Sequence, residues 1–140
     1  MPRKRVSRLF DLKEDEHGRK YMEVYLDGIA LLRLVLSNKG TAFSYEERFA
    51  LRLDGLLPPQ YNTLEQQIDR VYEGFRQAPT DIDKYQYLRA VQERQEILFY
   101  ALLEKHLDEM LPIVYTPTVG AAVQQFSALY QNPRGLSFSP

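Results

Sequence analysis

Apolar positions recur along this chain with two different periods. Residues 8–25 alternate: RLFDL and KYMEVY are short β-compatible runs, and EDEHG between them supplies turn residues. They predict a small hairpin. From residue 26 the period lengthens. LDGIALLRLVL (26–36) predicts a helix, broken at Asn38-Lys39-Gly40. Ser44 followed by Glu47 spells a capping box, so a short helix should open at Tyr45 and end by Gly55 and Pro58-Pro59. Thr63 with Gln66 is a second capping box. The helix it starts carries Leu64, Ile68, Val71, Tyr72 and Phe75 on one face, has Arg70 on the other, and should stop near Ala78-Pro79. Thr80 or Asp81 caps the longest predicted helix, residues 82–104. Its second half is apolar almost all round from Ile97 to Leu103, the pattern of a buried helix. Glu93 and Arg94 then lie at the edge of a buried zone, either wetted by solvent or held near a partner or ligand.

The stretch from Met110 to Pro133 contains no Asp, Glu, Lys or Arg. Thr116-Pro117 predicts a helix start, since Thr is a good N-cap and Pro is favoured at the first helical position. Val119, Ala122, Val123, Phe126, Leu129 and Tyr130 form one apolar stripe on that helix. The opposite face (Gln124, Gln125, Ser127, Ala128) is polar but neutral. A solvated helix carries charges outside, so this face is expected to be covered by another domain or subunit. The pattern as a whole predicts a mainly α fold with a small N-terminal β-hairpin, in two parts: residues 1–25 as arm and hairpin, and 26–140 as a helical domain.

Composition narrows the chemistry. The chain has 140 residues, 18 basic and 19 acidic side chains, and no cysteine. That length suits one domain, large enough to bury a core without a disulfide or metal staple. Absence of Cys removes disulfide frameworks, zinc ribbons, iron–sulfur clusters and thiol nucleophiles. Two histidines, His17 and His106, leave little for a His-based metal site or a Ser–His relay. A formal charge of −1 gives no global attraction to nucleic acid or an anionic membrane. PRKRVSR at 2–8 lacks the apolar segment of a secretory signal, and Asp11, Glu14, Asp15 and Glu16 argue against a transit peptide. It reads as a solvated terminus. No membrane span is present in the sequence, and a cytoplasmic location is expected.

The glycines form neither a dinucleotide fingerprint nor a phosphate loop, and the carboxylates form no metal-ligand pattern. One residue stands out. Tyr115 immediately precedes the predicted N-cap, where unpaired N–H groups and a partial positive charge favour the ionised form of a phenol. It reads either as a proton donor or acceptor or as a packed aromatic whose hydroxyl finds a partner.

Several strings change that balance. NKGTAF (38–43), GLLPP (55–59), QERQEILFY (92–100), MLPIVYTPTVG (110–120) and PRGL (133–136) resemble the N-terminal domain of the malic enzymes, in that family's order and spacing. The resemblance covers residue 26 onward. It implies a helical N-terminal region of a decarboxylating malate oxidoreductase that uses NAD or NADP with Mg2+ or Mn2+. It also implies that Tyr115, in the motif Tyr115-Thr116-Pro117-Thr118-Val119-Gly120, is the general acid that protonates C3 of enolpyruvate. The catalytic lysine, the substrate arginine, the acidic metal ligands and the dinucleotide fingerprint would lie beyond Pro140. The chain is therefore expected to be a truncated piece, inactive alone and binding neither metal nor dinucleotide. Malate is the implied substrate and a homodimer or tetramer the implied assembly, with no nucleic acid or membrane partner. A helical dimerisation module of a malolactic enzyme, which makes lactate, remains open. Some animal members bind an activating dicarboxylate at a dimer interface through two arginines and a glutamate. The arginine positions match Arg70 and Arg94. The glutamate's position is Asn62, so ion pairing at an interface without any ligand is the preferred expectation for the two arginines.

Overall fold

A computed structural model describes residues 7–134 and residue 138. The sequence-predicted basic arm falls largely outside these residues, and so do Gly135 and Leu136 of the PRGL string. Strands β1 (Phe10–Glu14) and β2 (Lys20–Val24) form the expected hairpin, antiparallel with Phe10 opposite Val24 and Leu12 opposite Met22. The Asp15 carboxylate closes its turn by accepting from the backbone N–H of His17 and Arg19, each at 2.9 Å.

Helix α1 (Gly28–Arg33) is shorter than its apolar run predicts. Leu34 turns extended, and the Val35 carbonyl accepts the Glu96 backbone N–H at 3.1 Å. Continuing the helix would withdraw that carbonyl from a distant helix start. Helix α2 (Tyr45–Ala50) has the predicted capping box but ends well before Gly55, at Leu51, with Arg52 at φ 53°. The Arg48 side chain, 4% exposed, explains how the following loop is held. Its guanidinium donates to the carbonyls of Phe43, Thr41, Pro58, Pro59 and Gln60 at 2.8–3.4 Å. Five loop carbonyls are thus satisfied by one buried cation. Leu31, Phe43 and Leu53 form a small apolar cluster here, joined by Val24 and Leu26 from the end of the hairpin.

The larger cluster is helical. Helix α3 (Leu64–Gln77) opens with the Thr63–Gln66 capping box, buries Ile68 and Phe75 and stops at Ala78, as its sequence predicts. Helix α4 (Asp81–Arg94) is capped by the Thr80 hydroxyl, which accepts from the Asp83 N–H. The predicted long helix is in fact two. Gln95 leaves helical geometry (φ −148°, ψ 88°) and α5 (Glu96–Lys105) starts afresh. Leu98, Phe99 and Leu102 are buried, while Tyr100 is half exposed. Helix α6 (Leu107–Val114) buries Met110 and Ile113.

Gly40 is the point where the two halves meet. It has φ 56°, and a Cβ there would run into the side chains of Gln95 and Gln67. Gly55 also has a positive φ, 79°, but a Cβ there would meet nothing within 4 Å. Alanine at either position strains the backbone by about 1–2 kcal/mol; at Gly40 the collision adds about 1–3 kcal/mol. Urea denaturation should show Gly40→Ala as the more damaging change by that margin. Equal losses would refute the close approach.

Candidate functional site

Tyr115 terminates α6, and its backbone is fixed on both sides. Its N–H donates to the Leu111 carbonyl and its carbonyl accepts from the Val119 N–H, both at 2.9 Å. Met110 and Ile113, one turn back, are buried in the main core. The side chain is 65% exposed, and its hydroxyl makes no hydrogen bond among the described residues.

The following helix departs from expectation. Thr116 is not its N-cap: the Thr116–Pro117 peptide is cis, Pro117 occupies the cap position, and α7 runs Thr118–Gln124. Thr118 is buried where the motif's first Thr is exposed. The predicted single helix through Tyr130 also breaks, at Gln125, with α8 (Phe126–Leu129) following. The break divides the apolar stripe. Ala122 is buried, whereas Val123, Phe126 and Tyr130 are 53–65% exposed. So the neutral segment turns apolar groups outward as well as the neutral polar ones. Gly120 belongs to that open surface, since a Cβ there would meet nothing within 4 Å. Alanine would favour the helix by up to about 1 kcal/mol, so nothing among the described residues requires glycine at that position.

Arg70 and Arg94 lie apart from Tyr115 in the fold but share a cleft with one another. Its volume is about 730 Å³, and Val71, Val91 and Leu98 contribute its apolar wall. Among the described residues neither arginine has an ion pair; Arg94 Nε donates to the Ala90 carbonyl at 3.1 Å. Asn62, the third position of the family pattern, does not line the cleft. A third arginine does: Arg33, at the end of α1. Sequence reasoning passed over it because a basic residue in a last helical turn is ordinary.

Sequence reasoning also missed the role of Glu93. It sits on the cleft's rim and ties the chain's last described segment to α4. Its carboxylate accepts from Arg134 Nε at 2.6 Å and Asn132 Nδ2 at 3.0 Å, and Arg89 lies 3.2 Å away. Arg134 also reaches Glu96 at 3.1 Å. Burial pushes the Glu93 carboxyl upward, but the bonds and charges of Arg134, Asn132 and Arg89 hold it below the usual range.

The described residues supply no set that fits a metal or a dinucleotide. Among the described residues no three His, Asp or Glu side chains group as a metal site, and the chain has no phosphate-binding glycine pattern. No helix among them is long and apolar enough to cross a membrane.

Residues 92–140 match the family model described as malic enzyme, N-terminal domain. Beyond those residues, most of the chain is similar to one stretch of several curated NAD-dependent malic enzymes. It is 52% identical over 112 residues to the NAD-dependent malic enzyme of Pseudomonas syringae pv. tomato, covering 80% of this chain and 20% of that protein. The NAD-dependent malic enzyme of Idiomarina loihiensis is 54% identical over the same length and coverage. That of Aeromonas salmonicida is 47% identical over 126 residues, 90% of this chain and 22% of that protein. The chain spans about a fifth of the length of these relatives.

The Glu93 cluster predicts a pH dependence. A glutamate whose folded value lies below its unfolded one stabilises the fold above the ordinary glutamate range, and that contribution is lost as pH falls through the folded value. Glu93→Gln should cost about 1–2 kcal/mol at neutral pH, read as a lower urea midpoint. The deficit should shrink as the buffer is made acidic. A deficit independent of pH would show that the carboxylate's charge is not what holds Arg134.

Proposed function

We propose that this chain is the tyrosine-bearing N-terminal domain of an NAD-dependent malic enzyme, which converts malate to pyruvate and CO2. When bound, the dinucleotide takes up hydride and a divalent metal polarises the substrate 2-oxygen. The described residues fit neither group, so no step through them is assigned to this chain. Its own part is the last proton. Decarboxylation of oxaloacetate leaves the enolate of pyruvate, and the Tyr115 hydroxyl delivers a proton to its C3, giving pyruvate and a tyrosinate that regains its proton from solvent. One observation carries this reading: in a motif shared with the malic enzymes, Tyr115 has a fixed backbone and an exposed hydroxyl that no group in the described chain engages. Thr116, Pro117, Thr118 and Gly120 shape the turn that presents it, and Gly120 leaves room for a facing surface. The isolated chain is then inactive, and a cytoplasmic setting suits the soluble metabolite it acts on.

A second reading is favoured by the outward apolar groups Leu111, Val123, Phe126 and Tyr130. On that reading the domain is a helical association module, in a malic enzyme dimer or tetramer or in a malolactic enzyme. Arg70 and Arg94 face one cleft and lack ion pairs in the described chain, which leaves them free for the ion pairing across an interface preferred for them; a small anionic effector is the alternative.

A chimera separates these readings. Residues 26–140 replace the matching segment of the Pseudomonas syringae enzyme. The chimera should reduce NAD with malate and form pyruvate; lactate would point to malolactic chemistry instead. Tyr115→Phe in it should lower kcat by about 10²–10⁴-fold with little change in the malate KM. A full rate in Tyr115→Phe would remove the general-acid role. Light scattering on the 140-residue chain tests association, and a strict monomer at high concentration would count against it.

A further inference from the structure

We infer that strand β1 is a docking edge for a second copy of this chain, pairing antiparallel with its own copy about Leu12. The surface is separate from the outward apolar groups of α6–α8.

The hairpin is a two-stranded sheet, so each strand has one row of main-chain groups with no neighbouring strand. The ladder shows which row that is in β1. Tyr25 N–H donates to the Leu9 carbonyl at 2.9 Å, and Asp15 N–H to the Arg19 carbonyl at 3.0 Å. Odd-numbered residues of β1 therefore bond to β2, and Phe10, Leu12 and Glu14 turn their N–H and C=O groups outward. No group among the described residues bonds to them.

A bare edge accepts any strand unless its side chains select a partner. Those of β1 select one register. When two copies pair antiparallel, outward residues face outward residues, so the two-fold axis falls on a residue and not between two. On Asp11, Lys13 or Glu14 the axis sets like charges face to face, and on Phe10 it shortens the pairing. On Leu12 it sets Asp11 opposite Lys13 of the second copy, twice over by symmetry. Those residues occupy the closely spaced positions, where cross-strand charge pairs contribute most. Lys13 already meets Glu23 at 2.5 Å, and Asp11 already accepts from the Tyr25 hydroxyl at 2.6 Å. The second copy joins these pairs into a ladder running Glu23, Lys13, then Asp11 and Tyr25 of the other chain. Such a network outweighs isolated surface pairs. On the opposite face Leu12, 62% exposed, meets its own copy. Phe10, Leu12, Met22 and Val24 of both chains then form one apolar face. A two-stranded hairpin is marginal alone, whereas a sheet of four strands with an apolar face is not.

Sedimentation equilibrium of the 140-residue chain tests this, and the wild type should dimerise. Leu12→Pro deletes an outward N–H that no described residue uses. It should weaken the dimer at least about tenfold through the bonds lost between chains. Asp11→Lys alone and Lys13→Asp alone should each weaken it by about as much. An equimolar mixture of those two variants should form a heterodimer of near wild-type strength, because opposite charges face each other again. Misfolding would not be repaired by mixing. A mixture that associates no better than its components overturns the register. A dimer that survives Leu12→Pro runs through another surface and overturns the inference. A wild type that stays monomeric at high concentration overturns it together with the association reading, and leaves the role of Tyr115 untouched.

Discussion

The segment Val35–Gly40 ties together two halves that have separate apolar clusters, and much of the architecture depends on its hydrogen bonds. Asn38 Nδ2 donates to the carbonyls of Leu32 and Arg94, at 2.9 and 3.4 Å, and its Oδ1 accepts from the Gly40 N–H at 2.8 Å. The Lys39 carbonyl accepts from Gln67, which is 1% exposed. The Val35 carbonyl caps α5 through Glu96. One irregular segment thereby fixes the end of α1, the position of α3 and the break between α4 and α5. Most of these bonds are partly buried, so a lost partner would leave a polar atom incompletely satisfied. That is a stronger constraint on geometry than apolar contact, which tolerates sliding. The arginine cleft is a consequence: its cations end or flank the elements this loop holds together.

Arg48 plays the corresponding part within the smaller half. A cluster of three buried apolar residues is a weak core, yet the loops at 41–43 and 58–60 converge on it. A buried cation with no carboxylate partner is costly by itself. Five carbonyl acceptors replace its water and at the same time satisfy backbone groups that no helix or strand could use.

What was legible in the sequence was local. The caps at Ser44, Thr63 and Thr80 act within three residues of themselves, and the hairpin is closed by its own turn. Each was readable because every partner lies in the same few letters. The break at Gln95 was not. The string QERQEILFY contains no Gly or Pro and favours helix throughout. Helix breaks there because Val35 and Asn38, more than fifty residues upstream, take over hydrogen bonds at that point. The divided stripe of residues 119–130 failed likewise: a straight-helix projection cannot foresee the reorientation at Gln125. Tyr115 is singled out by its motif alone, whereas the contacts of Glu93 and the place of Arg33 depend on neighbours on other elements.

The tyrosines make the chemical contrast within the chain. Tyr72 donates its hydroxyl to Glu109 at 2.6 Å, and Tyr25 donates to Asp11 at 2.6 Å. Those carboxylates hold both phenols above their usual range, so their protons are retained. Tyr72 is further committed by stacking on His106 at 3.7 Å. Such residues are structural: their hydroxyls answer to groups already in the fold. Tyr115 has the opposite arrangement, with an anchored backbone, a hydroxyl without an acceptor among the described residues, and an exposed glycine five residues on. The general-acid role proposed for Tyr115 is compatible with that arrangement, because a proton held by a neighbouring carboxylate would not be free for transfer. The fold spends its hydrogen-bonding order on placing the Tyr115 backbone and leaves the side chain's chemistry to whatever faces it.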